Sequence, residues 1–144
     1  MTTSAPSSTL QHILLVEDEP GDARLIDEVL HDHPRVRLHT VLDVVHAIHF
    51  MTKQQAYFDA PTPDLIILDL QLPIFSGKAL LEERRRRNFC PAVPVVVMTT
   101  SAAERVECKL LGATEYHVKP REWSQWQALI RQLVARHLGV DLQV

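Results

Sequence analysis

A chain of 144 residues, 46% hydrophobic and 23% charged, has the size and composition of one soluble globular domain. Its net charge of -3, with histidine counted as neutral, provides no overall positive field for nucleic acid. The arginine run at residues 84–87 is the one local basic patch. Because it ends a predicted helix, it is more typical of a solvated face that complements the helix dipole. We therefore expect no nucleic-acid partner.

The cysteines and the N-terminal segment indicate the compartment. Cys90 and Cys108 have no metal-binding spacing and are interpreted as free thiols in a reducing environment. The first residues lack a basic and an apolar signal region, and no apolar run approaches 18 residues. These features predict a cytoplasmic protein that has no membrane partner.

Five short segments are predicted to be strands. The first, third and fourth are continuous apolar runs, which favours burial on both faces of a parallel sheet. The second alternates between apolar and polar side chains, as a strand nearer a sheet edge does. The predicted strands cover residues 12–16, 36–41, 65–68, 95–98 and 115–118.

Each predicted strand is followed by a helical pattern, and Asp22 is the expected N-cap of the first helix. The predicted helices cover residues 22–30, 43–51, 78–87, 102–111 and 123–138. The domain is expected to span residues 11–138, between a Ser-, Thr- and Pro-rich flexible lead at 1–10 and a short tail at 139–144.

The order of elements predicts the fold class. Strands that alternate with helices through right-handed crossovers form a parallel sheet covered on both faces, which is a doubly wound α/β fold with five strands and five helices. The carboxyl ends of the strands then meet along one rim of the sheet, where such folds bind ligands. The rim residues are Glu17, Asp18, Asp69, Thr99 and Lys119.

These residue types suit phosphoryl chemistry at a metal ion. Carboxylates brought together repel one another unless a hard cation lies between them, and Asp18 and Asp69 are the natural ligands of Mg²⁺. A carboxylate can also attack phosphorus when Lys119 and a metal neutralise the charge on the transferring group. The Thr99 hydroxyl could donate to a phosphoryl oxygen and couple the reaction to the loop that follows. Each residue alone is usually an ordinary surface residue; their combination on one rim favours a functional site.

Four segments carry a family resemblance. From about Gln11 to Leu138 the chain resembles the receiver domains of two-component response regulators, in the segments LLVEDEP, LIILDLQLPIFSG, PVVVMTT and GATEYHVKP. The resemblance implies a flavodoxin-like sheet with strand order 2-1-3-4-5. It also implies Asp69 as the phosphoacceptor, with Thr99 and Lys119 as contacts of the phosphoryl group.

The resemblance further implies the switch and the metal site. Tyr116 matches the aromatic residue whose side chain turns inward when the threonine moves, and Pro120 follows the lysine as in the family, where that peptide bond is usually cis. The implied cofactor is Mg²⁺. Its implied ligands are Glu17, Asp18, Asp69 and the main-chain carbonyl of Gln71.

The segment EDEPGDARLIDEVL is most similar to small regulators of phytochrome histidine kinases. This narrower resemblance implies a sensor histidine kinase, a bacterial phytochrome, as phosphodonor, and a homodimer. Trp123 and Trp126 on the last helix are interpreted mainly as core anchors, and alternatively as part of an apolar patch for a dimer or kinase contact. The stretch between Thr99 and Lys119 is slightly shorter than in chemotaxis regulators, so that the fourth helix is expected to differ in length or tilt.

The predicted function is a phosphoacceptor switch with weak self-phosphorylation and autodephosphorylation, and no further enzymatic activity. One alternative is a phosphorylation-independent adaptor with the same fold, against which the complete set of acids, threonine and lysine argues. Another is an aspartyl-phosphate phosphatase of the haloacid dehalogenase type, which needs a second aspartate where Gln71 stands. A flavodoxin-like FMN module is disfavoured because the first loop is acidic where a phosphate needs main-chain donors. Gln71 and Ser101 flank the expected path of the attacking water, where their identity should tune the lifetime of the phosphoryl group.

Overall fold

The computed structural model describes residues 9–142 as one parallel sheet with helices on both faces. The strands are β1 (Gln11–Val16), β2 (Val36–Val41), β3 (Leu65–Leu68), β4 (Val95–Thr99) and β5 (Glu115–Val118). Their order in the sheet is β2-β1-β3-β4-β5. The predicted doubly wound α/β fold and its strand order are confirmed.

Five α-helices connect or follow the strands, and a 3₁₀ turn at Gln55–Tyr57 lies in the connection to β3. The helices are α1 (Pro20–Leu30), α2 (Val44–Thr52), α3 (Gly77–Arg87), α4 (Arg105–Leu110) and α5 (Trp123–Leu138). None of the helices within residues 9–142 combines the length and the apolar character needed to cross a bilayer.

The core has two layers, and β3 contributes to both. Ile66 and Leu68 pack among the buried side chains on the side of α2, α3 and α4, whereas Leu65 and Ile67 pack on the side of α1 and α5. Because helices cover both faces, every residue of β3 is buried. This accounts for the continuous apolar run that leads directly to Asp69.

The start of α1 differs from the prediction. Glu19, and not Asp22, is the N-cap: its carboxylate accepts hydrogen bonds from the main-chain nitrogens of Gly21 and Asp22, at 2.6 and 3.3 Å. Pro20 occupies the first helical turn, where its missing N–H costs little. The Asp22 side chain is therefore not used in capping the helix.

The fourth helix is shorter than the predicted span of residues 102–111. The Ser101 hydroxyl accepts a hydrogen bond from the Ala103 nitrogen at 3.1 Å, which favours a turn before the helix starts at Arg105. Gly112 follows the helix with a φ of +103°, a conformation suited to glycine. The helix is thus shortened mainly at its amino end relative to the span predicted from the sequence.

Two further expectations need correction. The peptide bonds of the described residues are all trans, so that the expected cis bond between Lys119 and Pro120 is wrong for this structure. The arginine run is not uniformly solvated, because the half-buried Arg84 donates to the main-chain oxygens of Cys90, Pro91 and Val93. Arg84 therefore fastens the loop between α3 and β4.

The two ends of the chain lie partly outside the description. The prediction of a flexible lead at residues 1–10 falls mainly on residues 1–8, which are outside the described residues, as are 143 and 144. After Gly139 ends α5 with a φ of +66°, Val140 and Leu142 are buried against the α1 and α5 side of the core. This part of the tail therefore adds to the core.

Candidate functional site

The rim at the carboxyl ends of the strands is where the described part of the chain buries its polar residues. Glu17, Asp69 and Thr99 are the polar or charged residues that are almost fully buried within residues 9–142, with exposed fractions of 2%, 4% and 1%. Burial of charged groups is costly unless partners compensate for it. The concentration of these buried polar residues on one rim indicates a site that serves a purpose other than folding.

Main-chain pairing fixes where Asp69 lies. The hydrogen-bond ladder continues past β3, since the Asp69 nitrogen donates to the Val16 oxygen at 3.0 Å. The start of α3 then closes against this strand end, and the Gly77 nitrogen donates to the Leu70 oxygen at 2.9 Å. A Cβ at Gly77 would overlap the main-chain oxygen of Asp69 and lie 3.0 Å from the Cα of Leu70. Glycine is thus required for this close approach.

The three predicted acidic ligands converge. Carboxylate oxygens of Glu17, Asp18 and Asp69 lie within 4.8 Å of one another, with Asp18 exposed and the other two buried. Burial, together with the nearby carboxylate of Asp69, raises the pKa of Glu17 to about 7, although the hydrogen bond from Lys119 lowers it. A set of carboxylate oxygens that repel one another fits a hard divalent cation such as Mg²⁺.

Lys119 reaches this acidic cluster from the end of β5. Its Nζ lies 2.9 Å from Glu17 Oε1 and 3.2 Å from Asp69 Oδ2, and its side chain is 8% exposed. A third carboxylate is closer still, because Asp22 Oδ2 is 2.7 Å away. Burial by itself would lower the pKa of Lys119, but the hydrogen bonds to Asp22 and Glu17 raise it above its ordinary value. The ammonium group is therefore charged at neutral pH.

Sequence reasoning missed Asp22 as a member of the site. Its sequence context predicts capping, which is a local role, whereas its partner Lys119 is 97 positions away along the chain. Its place in the first turn of α1, which begins at the rim, was the available signal.

The structure brings Thr99 and Tyr116 together around one loop. Thr99 is buried at the end of β4, and its main-chain oxygen accepts from the Lys119 nitrogen at 2.7 Å. The Tyr116 ring is turned inward with 3% exposure, and its hydroxyl donates to the main-chain oxygen of Ser101. The Arg105 guanidinium lies over the ring, 4.9 Å from its centroid. Tyr116 is thus joined to the loop that follows Thr99.

Gln71 lies between the phosphoacceptor candidate and the same loop. Its main-chain nitrogen donates to Asp69 Oδ1 at 3.1 Å. Its side-chain oxygen accepts a hydrogen bond from the Thr100 hydroxyl at 3.2 Å. The side chain therefore links the loops after β3 and β4, a role for Thr100 that the sequence did not suggest. The metal-binding role of the Gln71 carbonyl stays a prediction.

The two tryptophans of α5 do not share a surface. Trp126 is buried in the core with 3% exposure, whereas Trp123 is 41% exposed. The interpretation as a core residue is thus right for Trp126, and an apolar contact patch on α5 could include only Trp123. Other large apolar side chains that are exposed in the second half of the described residues are Val106 and Leu110 on α4 and Val118 on β5.

Comparison with known proteins agrees with this architecture. The sequence pattern of the response regulator receiver domain matches residues 13–131. The response regulator Rcp1 of Synechocystis sp. is 39% identical over 110 residues, which are 74% of this chain and 71% of Rcp1. The phosphorylated cyanobacterial phytochrome response regulator RcpA superposes with a TM-score of 0.84 at 30% identity, over 90% of this chain and 95% of RcpA. The Mn²⁺-bound form of Rcp1 superposes with a TM-score of 0.80 at 32% identity, over 93% and 99% of the two chains.

Proposed function

The chain belongs to the response regulator receiver domain family, and on that premise we propose that it accepts a phosphoryl group on Asp69 in a Mg²⁺-dependent reaction. The observation that carries this proposal is that the buried Asp69 carboxylate belongs to the acidic cluster and also lies 3.2 Å from the Lys119 ammonium. Receiver domains take their phosphoryl group from sensor histidine kinases, so that the donor here is the phosphohistidine of such a kinase.

The transfer is a displacement at phosphorus. An Asp69 carboxylate oxygen forms the new P–O bond while the P–N bond to the kinase histidine breaks, and the bonding electrons return to that nitrogen. Glu17 and Asp18 would hold the metal together with Asp69, with the Gln71 carbonyl as a further proposed ligand. When bound, Mg²⁺ supplies positive charge to the oxygens of the transferring group. Lys119 supplies a second positive charge, 3.2 Å from Asp69 Oδ2.

Thr99 and Tyr116 would transmit phosphorylation of Asp69 to the surface of the protein. The Thr99 hydroxyl donates to a phosphoryl oxygen on Asp69 and draws the loop after β4 with it. Tyr116 is bonded to that loop through Ser101, so that its inward position is stabilised when the loop moves. The surface around α4 and β5 is therefore where the phosphorylated and unphosphorylated forms differ. The protein acts as a switch, with weak self-phosphorylation and autodephosphorylation as its own activities.

The kinase partner can be specified further. Similarity to the cyanobacterial phytochrome response regulator RcpA supports a phytochrome histidine kinase as the donor. The exposed apolar side chains Val106, Leu110 and Trp123 support a homodimer that includes α4 and the start of α5. Size measurement by light scattering, with and without beryllofluoride as a phosphoryl mimic, tests the dimer.

The phosphoacceptor is tested with the full chain, Mg²⁺ and acetyl phosphate. Intact mass is expected to show one added phosphoryl group that hydroxylamine removes, and none when a chelator replaces Mg²⁺. Asp69→Asn should abolish the adduct, whereas Asp59→Asn, the same change at an exposed site, should leave it unchanged. An adduct that survives Asp69→Asn, or that forms equally in the chelator, contradicts the proposal. Steady turnover of small phosphate esters would instead favour a phosphatase.

A further inference from the structure

Asp22 is the partner of Lys119 that the proposed reaction does not explain. At 2.7 Å it is nearer to the Lys119 Nζ than Glu17 or Asp69 is, and its side chain is only 25% exposed. It does not cap α1, because Glu19 does so. It also lies outside the group of three acids whose oxygens converge as a cation site. Within the described residues, the Asp22 carboxylate thus has its contact with Lys119.

The three carboxylate partners of Lys119 are not equivalent. An ammonium group has three N–H donors, and three carboxylates lie within 3.2 Å of it, from Glu17, Asp22 and Asp69. Glu17 and Asp69 are the acids that would share their oxygens with a cation and a phosphoryl group. Asp22 is the one partner that neither of these would engage, so that its hydrogen bond to Lys119 remains available throughout the reaction.

We propose that Asp22 is a positioning residue for phosphoryl transfer, which holds the Lys119 ammonium at the rim beside the Asp69 carboxylate that would receive the phosphoryl group. The proposal rests on the proposed function of Asp69. Without Asp22, the ammonium group is drawn towards Glu17 and Asp69, where it competes with the cation for the same oxygens. The reaction then loses both the orientation of the lysine and part of the affinity for the metal.

The first test compares phosphorylation rates with acetyl phosphate at a fixed Mg²⁺ concentration. Asp22→Ala removes the acceptor and should slow phosphorylation of Asp69 about tenfold, the effect typical of losing an outer partner of a site. Asp22→Asn keeps an oxygen that can accept from the ammonium group and should recover much of the rate. Asp27→Asn, a matched change at an exposed position of the same helix, should leave the rate unchanged. A parental rate in Asp22→Ala overturns the proposal.

A double-mutant cycle separates positioning from a general effect on α1. If Asp22 acts through Lys119, Asp22→Ala should cause no further slowing in a Lys119→Met background. The same cycle on the free energy of unfolding, measured in a chelator, needs no phosphorylation and should show that the two changes are not additive. Equal effects of Asp22→Ala in both backgrounds, in either measurement, overturn the proposal.

The outcomes also distinguish this inference from the proposed function. If the parental protein acquires no phosphoryl group on Asp69, the proposed function fails. If the parental protein is phosphorylated and Asp22→Ala is phosphorylated at the same rate, the proposed function stands and the positioning role of Asp22 is wrong.

Discussion

The two ends of the parallel strands carry acidic side chains in opposite surroundings. At the rim, Glu17 lies among other carboxylates, and burial with the nearby Asp69 raises its pKa to about 7. On the opposite side of the sheet the strands begin, and we call this side the amino edge. There, at the start of β5, Glu115 accepts hydrogen bonds from Arg136, His117 and His137. Burial raises the pKa of Glu115, but these partners, Arg136 first, lower it in total to about 2. Glu17 thus lies among other carboxylates, whereas Glu115 lies among hydrogen-bond donors.

The same contrast separates the arginines from the lysine. Arg84 and Arg85 line a cavity of about 620 Å³ between the ends of α3 and α4 at the amino edge. Their guanidinium groups are occupied by main-chain oxygens, those of the loop before β4 for Arg84 and that of Leu110 for Arg85. The Lys119 ammonium is instead bound by carboxylates, and two of them, Glu17 and Asp69, belong to the acidic cluster. The arginines at the amino edge therefore have a structural role in holding main-chain oxygens, whereas the buried like charges mark the candidate site at the rim.

The largest loss of stability is expected from Gly77→Ala at the rim. The added Cβ overlaps the Asp69 main chain, and we expect the free energy of unfolding to fall by about 3 kcal/mol, with slower phosphorylation of whatever remains folded. Gly139→Ala at the amino edge meets no atom within 4 Å and changes only a left-handed φ of +66°, which costs about 1 kcal/mol. Urea unfolding checks both. A smaller loss for Gly77→Ala than for Gly139→Ala would contradict the close approach at the rim.

An intermediate effect is expected from Glu17→Gln on stability without metal. Because the pKa of Glu17 is raised from 4.5 to about 7 on folding, the native state binds more protons in that range, and stability in a chelator falls as pH rises from 4.5 to 7. Glu17→Gln should therefore raise the free energy of unfolding at pH 7, in a chelator, by an amount on the order of 2 kcal/mol. Urea unfolding between pH 4 and 8 measures it.

Glu115→Gln is the matched control at the amino edge. The pKa of Glu115 is lowered on folding, so its stabilisation is complete above pH 4.5 and is lost as pH falls towards 2. Glu115→Gln should therefore destabilise the protein at pH 7, opposite in sign to Glu17→Gln. If both glutamines destabilise the chelated protein equally, the two edges do not differ as described.

The smallest effect is expected at Ile74, in the loop between β3 and α3. Ile74 is 86% exposed with a φ of +72°, and the Phe75 nitrogen donates to the Pro73 oxygen across it. A β-branched residue is strained in this conformation, which asparagine tolerates. Ile74→Asn should raise the free energy of unfolding by about 1 kcal/mol. Leu42→Asn, an exposed rim residue without a positive φ, should bring no gain; a gain there equal to that of Ile74→Asn would show that the strain is not the cause.

Much of the fold could be predicted because its signals are local. The apolar runs of β1, β3 and β4 and the acids that follow two of them place Glu17, Asp18 and Asp69 on one edge once the strands are parallel. What could not be predicted depends on long-range partners. The sequence near Asp22 offers a capping role that Glu19 takes, and the oxygens that bind Arg84 belong to a loop whose path the sequence does not specify.

The same limit applies to the start of α4 and to Tyr116. A helix pattern extends back to residue 102, but the Ser101 hydroxyl offers the Ala103 nitrogen a competing partner. The family resemblance identified Tyr116 as an aromatic switch residue, and the structure adds the main-chain oxygen that its hydroxyl meets. Side-chain partners of this kind follow only from the assembled loops.

The measurement that tests the central claim most directly locates the phosphoryl group itself. The full chain is treated with acetyl phosphate and Mg²⁺, reduced with borohydride, which converts a phosphorylated aspartate to homoserine, and analysed by peptide mass mapping. We predict conversion at position 69, dependent on Mg²⁺ and slowed by Asp22→Ala. Conversion at another carboxylate of the rim, or none at position 69 in a sample that carries the phosphoryl group, would contradict the account.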